Sequence, residues 1–175
     1  HGTRLLTFIN VENQSVVQYS TNCKLNKNYI SIIENLTKLL SCLKTSIVLD
    51  GQIMTKPLKE LMIPTLNNNT SIHYGIFDLI PMHDFMNGIC KIPQHIRHEQ
   101  LCALETSGIL KQISNGKIYV VPKIEVDFDT ENGQKNFSEL KQYANDLDCK
   151  EILIKNPMAP YKCMVNNAWF NIVKD

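Results

Sequence analysis

The sequence has almost no net charge, no long apolar run, no paired-cysteine motif and no internal repeat. Eighteen Lys and Arg against seventeen Asp and Glu leave +1. No overall basic excess therefore advertises nucleic acid, and any such contact needs a local patch. No apolar stretch approaches the ~18 residues of a membrane span. The N-terminal stretch is polar, without the basic-then-apolar layout of a secretory leader. A cytoplasmic protein with no membrane partner is expected. The six cysteines, at 23, 42, 90, 102, 149 and 163, form no C-x-x-C pair. Zinc-ribbon spacing is thus missing, and the cysteines read as free thiols in a reducing compartment.

What is there suits one globular domain. The 175 residues are 43% hydrophobic and 20% charged, enough to bury a core and too apolar for a disordered chain. Arg4 to Asn10 and Ser15 to Ser20 read as paired strands around a turn at Val11-Glu12-Asn13-Gln14. Ile32, Ile33, Leu36, Leu39, Leu40 and Leu43 recur at helical spacing and predict a helix from about Asn28 to Leu43. Thr45 to Met54 and Ser71 to Ile80 read as buried strands, with a loop at Leu66 to Thr70. Pro93 sits where a first-turn proline belongs, ahead of a helix to about Thr106. Lys117 to Phe128 reads as an edge or bent strand because of Pro122. Phe137 to Asp146 reads as a helix approached through Glu131-Asn132-Gly133. Ile152 to Lys155 and Ala168 to Val173 read as short strands. Strands outnumber helices and hairpin-like neighbours are frequent, which favours an α+β domain built on antiparallel sheets.

His98 and Cys102 are four apart and would share a helix face, a partial metal-ligand spacing. The sequence indicates no third ligand. These residues, with His95, read more simply as ordinary helix positions.

Several segments, in order, carry a resemblance. His1-Gly2-Thr3-Arg4 looks like the tail of a K-x-D-G-x-R element, and Ser20-Thr21-Asn22-Cys23 like an S-R-N-G turn. Leu49-Asp50-Gly51-Gln52 looks like an L-D-G-E strand end, and Ile76-Phe77-Asp78-Leu79 like an F-D segment. Pro93 to Leu101, centred on Arg97, looks like an arginine-containing helix. Lys150-Glu151-Ile152-Leu153-Ile154-Lys155 stands where E-G, three apolar residues and Lys would stand. Trp169-Phe170-Asn171-Ile172-Val173 looks like a W-x-K-x-K ending. Each motif alone is weak; their joint order and spacing is specific. The chain resembles the adenylation (nucleotidyltransferase) domain of a small ATP-dependent DNA ligase of the bacteriophage type, over almost its whole length.

The resemblance implies an α+β fold of two antiparallel sheets with flanking helices, the nucleotidyltransferase fold shared with mRNA-capping enzymes (ATP-grasp-like). It implies a single adenylation domain over 1–175, ATP and Mg²⁺ as cofactors, and nicked double-stranded DNA as partner, weakly bound at most by this chain. It also implies a setting in DNA replication and repair, in the host cytoplasm if phage-encoded. In such proteins a lysine attacks the α-phosphate of ATP, and the lysine–AMP adduct passes AMP to a 5′-phosphate. That lysine lies two residues before the aspartate position held here by His1, so it is expected to precede this chain. The oligonucleotide-binding barrel that follows such domains is likewise expected to be missing.

By the same resemblance, Arg4, Phe77 and Lys155 are the retained nucleotide-binding positions, with the Phe77 ring placed to stack on adenine. Thr21, Gln52, Lys150, Asn171 and Val173 stand where the pattern has Arg, Glu, Glu, Lys and Lys. Gln52 loses a metal-binding charge, and Lys150 reverses one. Two positive charges ~4 Å apart repel by about 4 kcal/mol at an effective dielectric of 20, so metal binding is in doubt. On residue character alone, Arg4 equally suits a surface ion pair and Lys155 a solvated strand end, and Phe77 in its apolar strand reads as ordinary core. The expectation is a ligase-like adenylation domain, inactive or strongly impaired in this chain. The alternative is a non-catalytic nucleotide-binding or protein-interaction (decoy) domain. Cys23 replaces a turn glycine, and its β-carbon costs roughly 1–2 kcal/mol if φ is positive. A rearranged or strained turn is expected there.

Overall fold

The computed structural model describes residues 2–54, 72–146, 151–163 and 169–173, with Glu151 and Trp169–Val173 as backbone only. His1, the loop at Leu66 to Thr70 and Lys150 lie outside the described residues. Strand β1 (Thr3–Asn10) pairs with β2 (Ser15–Ser20) as an antiparallel hairpin, and β3 (Leu25–Asn26) adds to its edge. Helix α1 (Ile30–Thr37) tightens into a 3₁₀ segment at Lys38–Ser41. Strands β4 (Ile47–Met54) and β5 (His73–Pro81) follow. Then come α2 (Met82–Met86), β6 (Ile89–Cys90), α3 (Gln94–Thr106), α4 (Ile109–Ser114) and β7 (Ile118–Val120). Helix α5 (Glu131–Asp146) leads to β8 (Glu151–Lys155), β9 (Tyr161–Lys162) and β10 (Trp169–Val173).

The six-stranded sheet runs β3-β2-β1-β4-β5-β7, antiparallel except at its β5–β7 edge. A β8–β10 ribbon and a short β6–β9 pair complete the strands. The α+β architecture of sheets with flanking helices is therefore the observed one.

Strand alternation decides what each sheet face meets. Leu5 and Ile9 of β1, with Ile47, Leu49 and Ile53 of β4, pack against Ile32, Leu36 and Leu39 of the first helical segment and Leu101 of α3. Each fully buried Leu or Ile contributes roughly 1.5–3 kcal/mol over exposure. This face also holds a polar knot. The Tyr74 hydroxyl donates to the carbonyls of Leu5 (3.2 Å) and Leu49 (3.1 Å) and accepts from Thr7 Oγ1 (3.0 Å). The opposite face carries Arg4, Asp50 and Gln52.

A bulge links the two faces. Asp50 pairs with Asp78, but Gly51 pairs with Ile76, so Phe77 is the extra residue on β5. Tyr74 and Ile76 belong to the helix-side core, whereas Ile80 packs with Cys90 and Tyr161 on the other side. Without the bulge, period-two counting would send Asp78 into the apolar core; with it, Asp78 stands beside Asp50. Gly51 is required here. A β-carbon would come within 2.6 Å of the Gly75 carbonyl and 2.7 Å of the Tyr74 ring.

Four sequence expectations shift. The helix expected over 28–43 is α1 plus the 3₁₀ turn, although Ile32, Leu36, Leu39 and Leu40 are buried as the spacing requires. Pro93 is the N-cap of α3 rather than its first helical residue. The 117–128 strand ends at Val120. Val121 N–H still donates to Ile76 O (2.8 Å), but Pro122 has no N–H to continue the ladder. Helix α5 begins six residues before Phe137. Thr130 caps it, its Oγ1 accepting from Gly133 N–H (3.0 Å). The glycine that read as an approach turn lies in the first helical turn, where a β-carbon would run into the Asp127 carbonyl.

Cys23 has φ +56°, in the left-handed region. The turn closes through Cys23 N–H to Ser20 O (2.9 Å), so the strain expected from replacing a glycine is present at that residue.

Candidate functional site

The site is built on the non-core face of β1, β4 and β5. Arg4 of β1 lies opposite Gln52 and diagonal to Asp50 of β4. Its guanidinium grips Asp50 with both arms, Nε to Oδ1 at 2.9 Å and Nη2 to Oδ2 at 2.6 Å. Tyr161 of β9 donates to the same Oδ2 at 2.9 Å. The expectation of an ion pair for Arg4 is met, with a carboxylate that is fully buried rather than on the surface. Burial, with Asp50 beside it, pushes the Tyr161 hydroxyl far above its ordinary value, so it stays a donor.

Asp78 is held in the same way from the other side. Arg97 of α3 donates Nε to Oδ1 (2.8 Å) and Nη2 to Oδ2 (3.0 Å), and its Nη1 reaches the Ile92 carbonyl. Both Arg97 and Asp78 side chains are 0% exposed. Such a pair is tolerated because nearly every polar atom has a partner. The Arg97 guanidinium also lies over the Tyr161 ring at 5.7 Å, joining the two ion pairs.

Phe77, the bulged residue, is partly exposed rather than core. Arg4 Cζ is 5.7 Å and Lys155 Nζ 5.0 Å from its ring centroid, within cation–π range. Lys155 Nζ is also 3.9 Å from Asp78 Oδ2, and its side chain is only 8% exposed. Lys155 is thus no solvated strand end. Burial pulls its ammonium below the ordinary lysine value, against the opposing pull of Asp78. The three positions singled out in the sequence, Arg4, Phe77 and Lys155, converge on one place.

The replaced positions distribute around it. Gln52 is on the same strand and face as Asp50, partly buried. Thr21 is exposed and follows Ser20, which pairs with Leu5, so it stands at the Arg4 end of the sheet. Asn171 and Val173 pair with Leu153 and Glu151 along the β8–β10 ribbon. Lys150 lies outside the described residues.

Two residues near the site carried weak or no sequence signal. Tyr161 had none, since the pairing of β9 with β6 is what aims it at Asp50. Lys123 read as one polar residue in an edge strand. Its Nζ is buried and has no hydrogen-bond partner among the described residues.

A divalent cation does not fit the described residues. Both oxygens of Asp50 and both of Asp78 are already engaged by cationic or N–H and O–H donors. Gln52 offers only a neutral amide. No group of three His, Cys, Asp or Glu side chains among the described residues is arranged to hold a metal. On α3, His98 Nε2 and Cys102 Sγ lie 3.5 Å apart. The five described cysteines are free thiols, and no described helix is long and apolar enough to cross a membrane.

No family model matches the sequence, and no curated protein matches it. Solved structures do. A structure named Pmar-Lig_PreS3 superposes with TM-score 0.80 at 27% identity, over 99% of this chain and 40% of its own. The ATP-dependent DNA ligase from bacteriophage T7, in complex with ATP, gives 0.65 at 14% identity, over 98% of this chain and 59% of that one. The ligase domain of LigD from M. tuberculosis gives 0.54 at 14% identity, over 99% and 51%. This chain spans about 40% of the Pmar-Lig_PreS3 chain. Its fold is that of the nucleotidyltransferase domain of ATP-dependent DNA ligases.

Proposed function

We propose that this chain is the adenylation domain of an ATP-dependent DNA ligase type of protein, that it holds an adenine nucleotide against Phe77, and that its nucleotidyl transfer is strongly impaired. The observation that carries the reading is the convergence of Arg4, Phe77 and Lys155 on one face of the β1–β4–β5 sheet. An aromatic face between two cations suits a flat base with an attached anion. Arg4 is 40% exposed and fixed by Asp50, so it presents a held guanidinium edge to a ligand.

Impairment follows from the positions meant to handle the transferring phosphoryl group. Gln52, Thr21, Asn171 and Val173 carry no charge where the ligase pattern has Glu, Arg, Lys and Lys, and Lys150 reverses one. Losing one preorganised charge-stabilising group typically costs about 10²–10³ in rate. The whole protein's partner would be nicked double-stranded DNA, bound weakly at most by this chain alone. A setting in DNA replication or repair belongs to the same proposal. The closed Asp50 and Asp78 pairs also favour the second reading, a nucleotide-binding domain without catalysis.

Incubation with α-labelled ATP and Mg²⁺ tests the impairment that the two readings share. Both expect a rise in melting temperature with ATP. On a chain given a lysine two positions ahead of His1, where the ligase pattern has its nucleophile, covalent hydroxylamine-sensitive label would contradict impairment, and its absence supports it. An unchanged melting temperature at millimolar ATP would overturn the nucleotide site.

A further inference from the structure

Tyr74 ties together the three strands that carry the site, from the face opposite to it. It stands on β5 across from Ile53 of β4. Its ring crosses β4 over Gly51, where a β-carbon would come within 2.7 Å of it. Its hydroxyl ends between the carbonyls of Leu49 on β4 (3.1 Å) and Leu5 on β1 (3.2 Å), and accepts from Thr7 Oγ1 (3.0 Å). Thr7 Oγ1 in turn accepts from Gln18 Nε2 of β2 (3.0 Å). Thr7, Gln18 and Tyr74 are all 0% exposed, so water does not replace these bonds. Burial pushes the Tyr74 hydroxyl far above its ordinary value, which keeps it a donor. A phenylalanine ring would fill nearly the same core volume; what the hydroxyl adds is the tie.

The anchor points adjoin the site residues. The Leu49 carbonyl belongs to the peptide that enters Asp50, and Leu5 follows Arg4. On β5 the tie fixes which face Tyr74 takes. Asp78, four residues on, is fixed on the other face by both arms of Arg97 (2.8 and 3.0 Å). Residues four apart on a regular strand share a face. Tyr74 and Asp78 do not, so one extra residue must fall between them. Gly75 and Ile76 keep their partners Gln52 and Gly51, and the extra residue is Phe77. A bulge held on both sides in this way re-aims one side chain.

We infer that Tyr74 is a positioning residue for the nucleotide: its hydroxyl, anchored on Thr7, Leu5 and Leu49, locks the bulge that sets Phe77 beside Arg4 and Lys155. It lies on the helix-side face and acts through Phe77, not by touching a ligand. This rests on the adenine-nucleotide reading and deepens it by naming what holds the stacking ring in place.

Two measurements on the ¹⁵N-labelled chain test it, with Tyr74→Phe and Ile113→Val as variants. Ile113 of α4 belongs to the same core and has no part in the tie, so its variant reports what a loss of stability does alone. Relaxation dispersion on the free chain should show new exchange or doubled resonances at Gly51 and Gly75 to Asp78 in Tyr74→Phe, and none in Ile113→Val. AMP titration should give about threefold or weaker binding for Tyr74→Phe, as expected when the binding-competent register falls to about a third. Ile113→Val should bind AMP as the wild type does. A quiet bulge in Tyr74→Phe, or an AMP affinity equal to wild type, would overturn the inference while leaving the nucleotide reading intact. So would an equal effect from Ile113→Val. If the wild type does not bind AMP, the nucleotide reading falls, and the exchange measurement alone decides whether Tyr74 locks the bulge. Should Tyr74→Phe not fold, Thr7→Val withdraws one of the hydroxyl's three partners and should show the same exchange to a smaller degree; a quiet bulge there would overturn the inference as well.

Discussion

Asp50 and Asp78 face each other directly across β4 and β5, and each buried carboxylate is gripped by a different arginine. Opposed like charges at cross-strand distance repel, so the two arginines are what allow the pairing. Arg97→Ala would leave Asp78 buried without its bidentate partner. A loss of about 3–5 kcal/mol is expected in urea unfolding. Adding Asp78→Asn to that variant should recover part of it. Arg4→Ala should cost less, because Tyr161 still donates to Asp50 and Arg4 is 40% exposed. Equal, small losses for both arginines would mean that the sheet does not depend on this charge arrangement.

Cys23 supplies a second prediction. Its φ of +56° places a β-carbon in the left-handed region, and the side chain is exposed, so nothing is gained from packing. Cys23→Gly should stabilise the chain by roughly 0.5–1 kcal/mol, the relieved strain less the added freedom of the unfolded glycine. A melting temperature that falls would show that the turn is relaxed as it stands.

Lys123 gives the stability a pH signature. Burial, reinforced by Lys155, pulls its ammonium down to about 8 from an ordinary 10.5. Below pH 8 both folded and unfolded chains carry the charge, and the folded chain bears its full cost. Between about 8 and 10.5 the folded chain has released the proton and the unfolded chain has not, so the cost disappears as pH rises. Lys123→Met should therefore be more stable than wild type by on the order of 1–2 kcal/mol at pH 7, water reaching part of the side chain. The gap should close towards pH 10. Lys155, also drawn down by burial, contributes the same sign in both proteins and does not mask the difference. A gap that persists unchanged to pH 10 would assign the effect to packing rather than charge.

How far the sequence reveals this molecule depends on what each feature answers to. Alternation along Arg4 to Asn10 and Ser15 to Ser20, and the spacing of Ile32, Leu36, Leu39 and Leu40, report local burial and are met by the observed elements. The motif order around Arg4, Phe77 and Lys155 was enough to name residues that come together in space. The bulge at Phe77 was not legible, because a period-two reading carries no sign of an extra residue. It is nevertheless what turns Asp78 towards Asp50. Gly133 read as a turn residue because glycine is a poor helix former, while Thr130 as a cap acts only once the chain at Asp127 is placed. Lys123 and Tyr161 gave no signal, since a single Lys or Tyr beside a strand is ordinary until the fold buries it against partners from distant segments.

The account stands on an adenine nucleotide lying against Phe77 between Arg4 and Lys155. Titrating the ¹⁵N-labelled chain with AMP while recording its amide spectrum measures that contact residue by residue. The expected result is saturable shifts at Arg4, Gln52, Gly75 to Asp78 and Lys155, abolished by Phe77→Ala, with the folded spectrum otherwise kept. Shifts confined to the exposed side of α5 around Leu140 and Tyr143, or none at millimolar AMP, would contradict it.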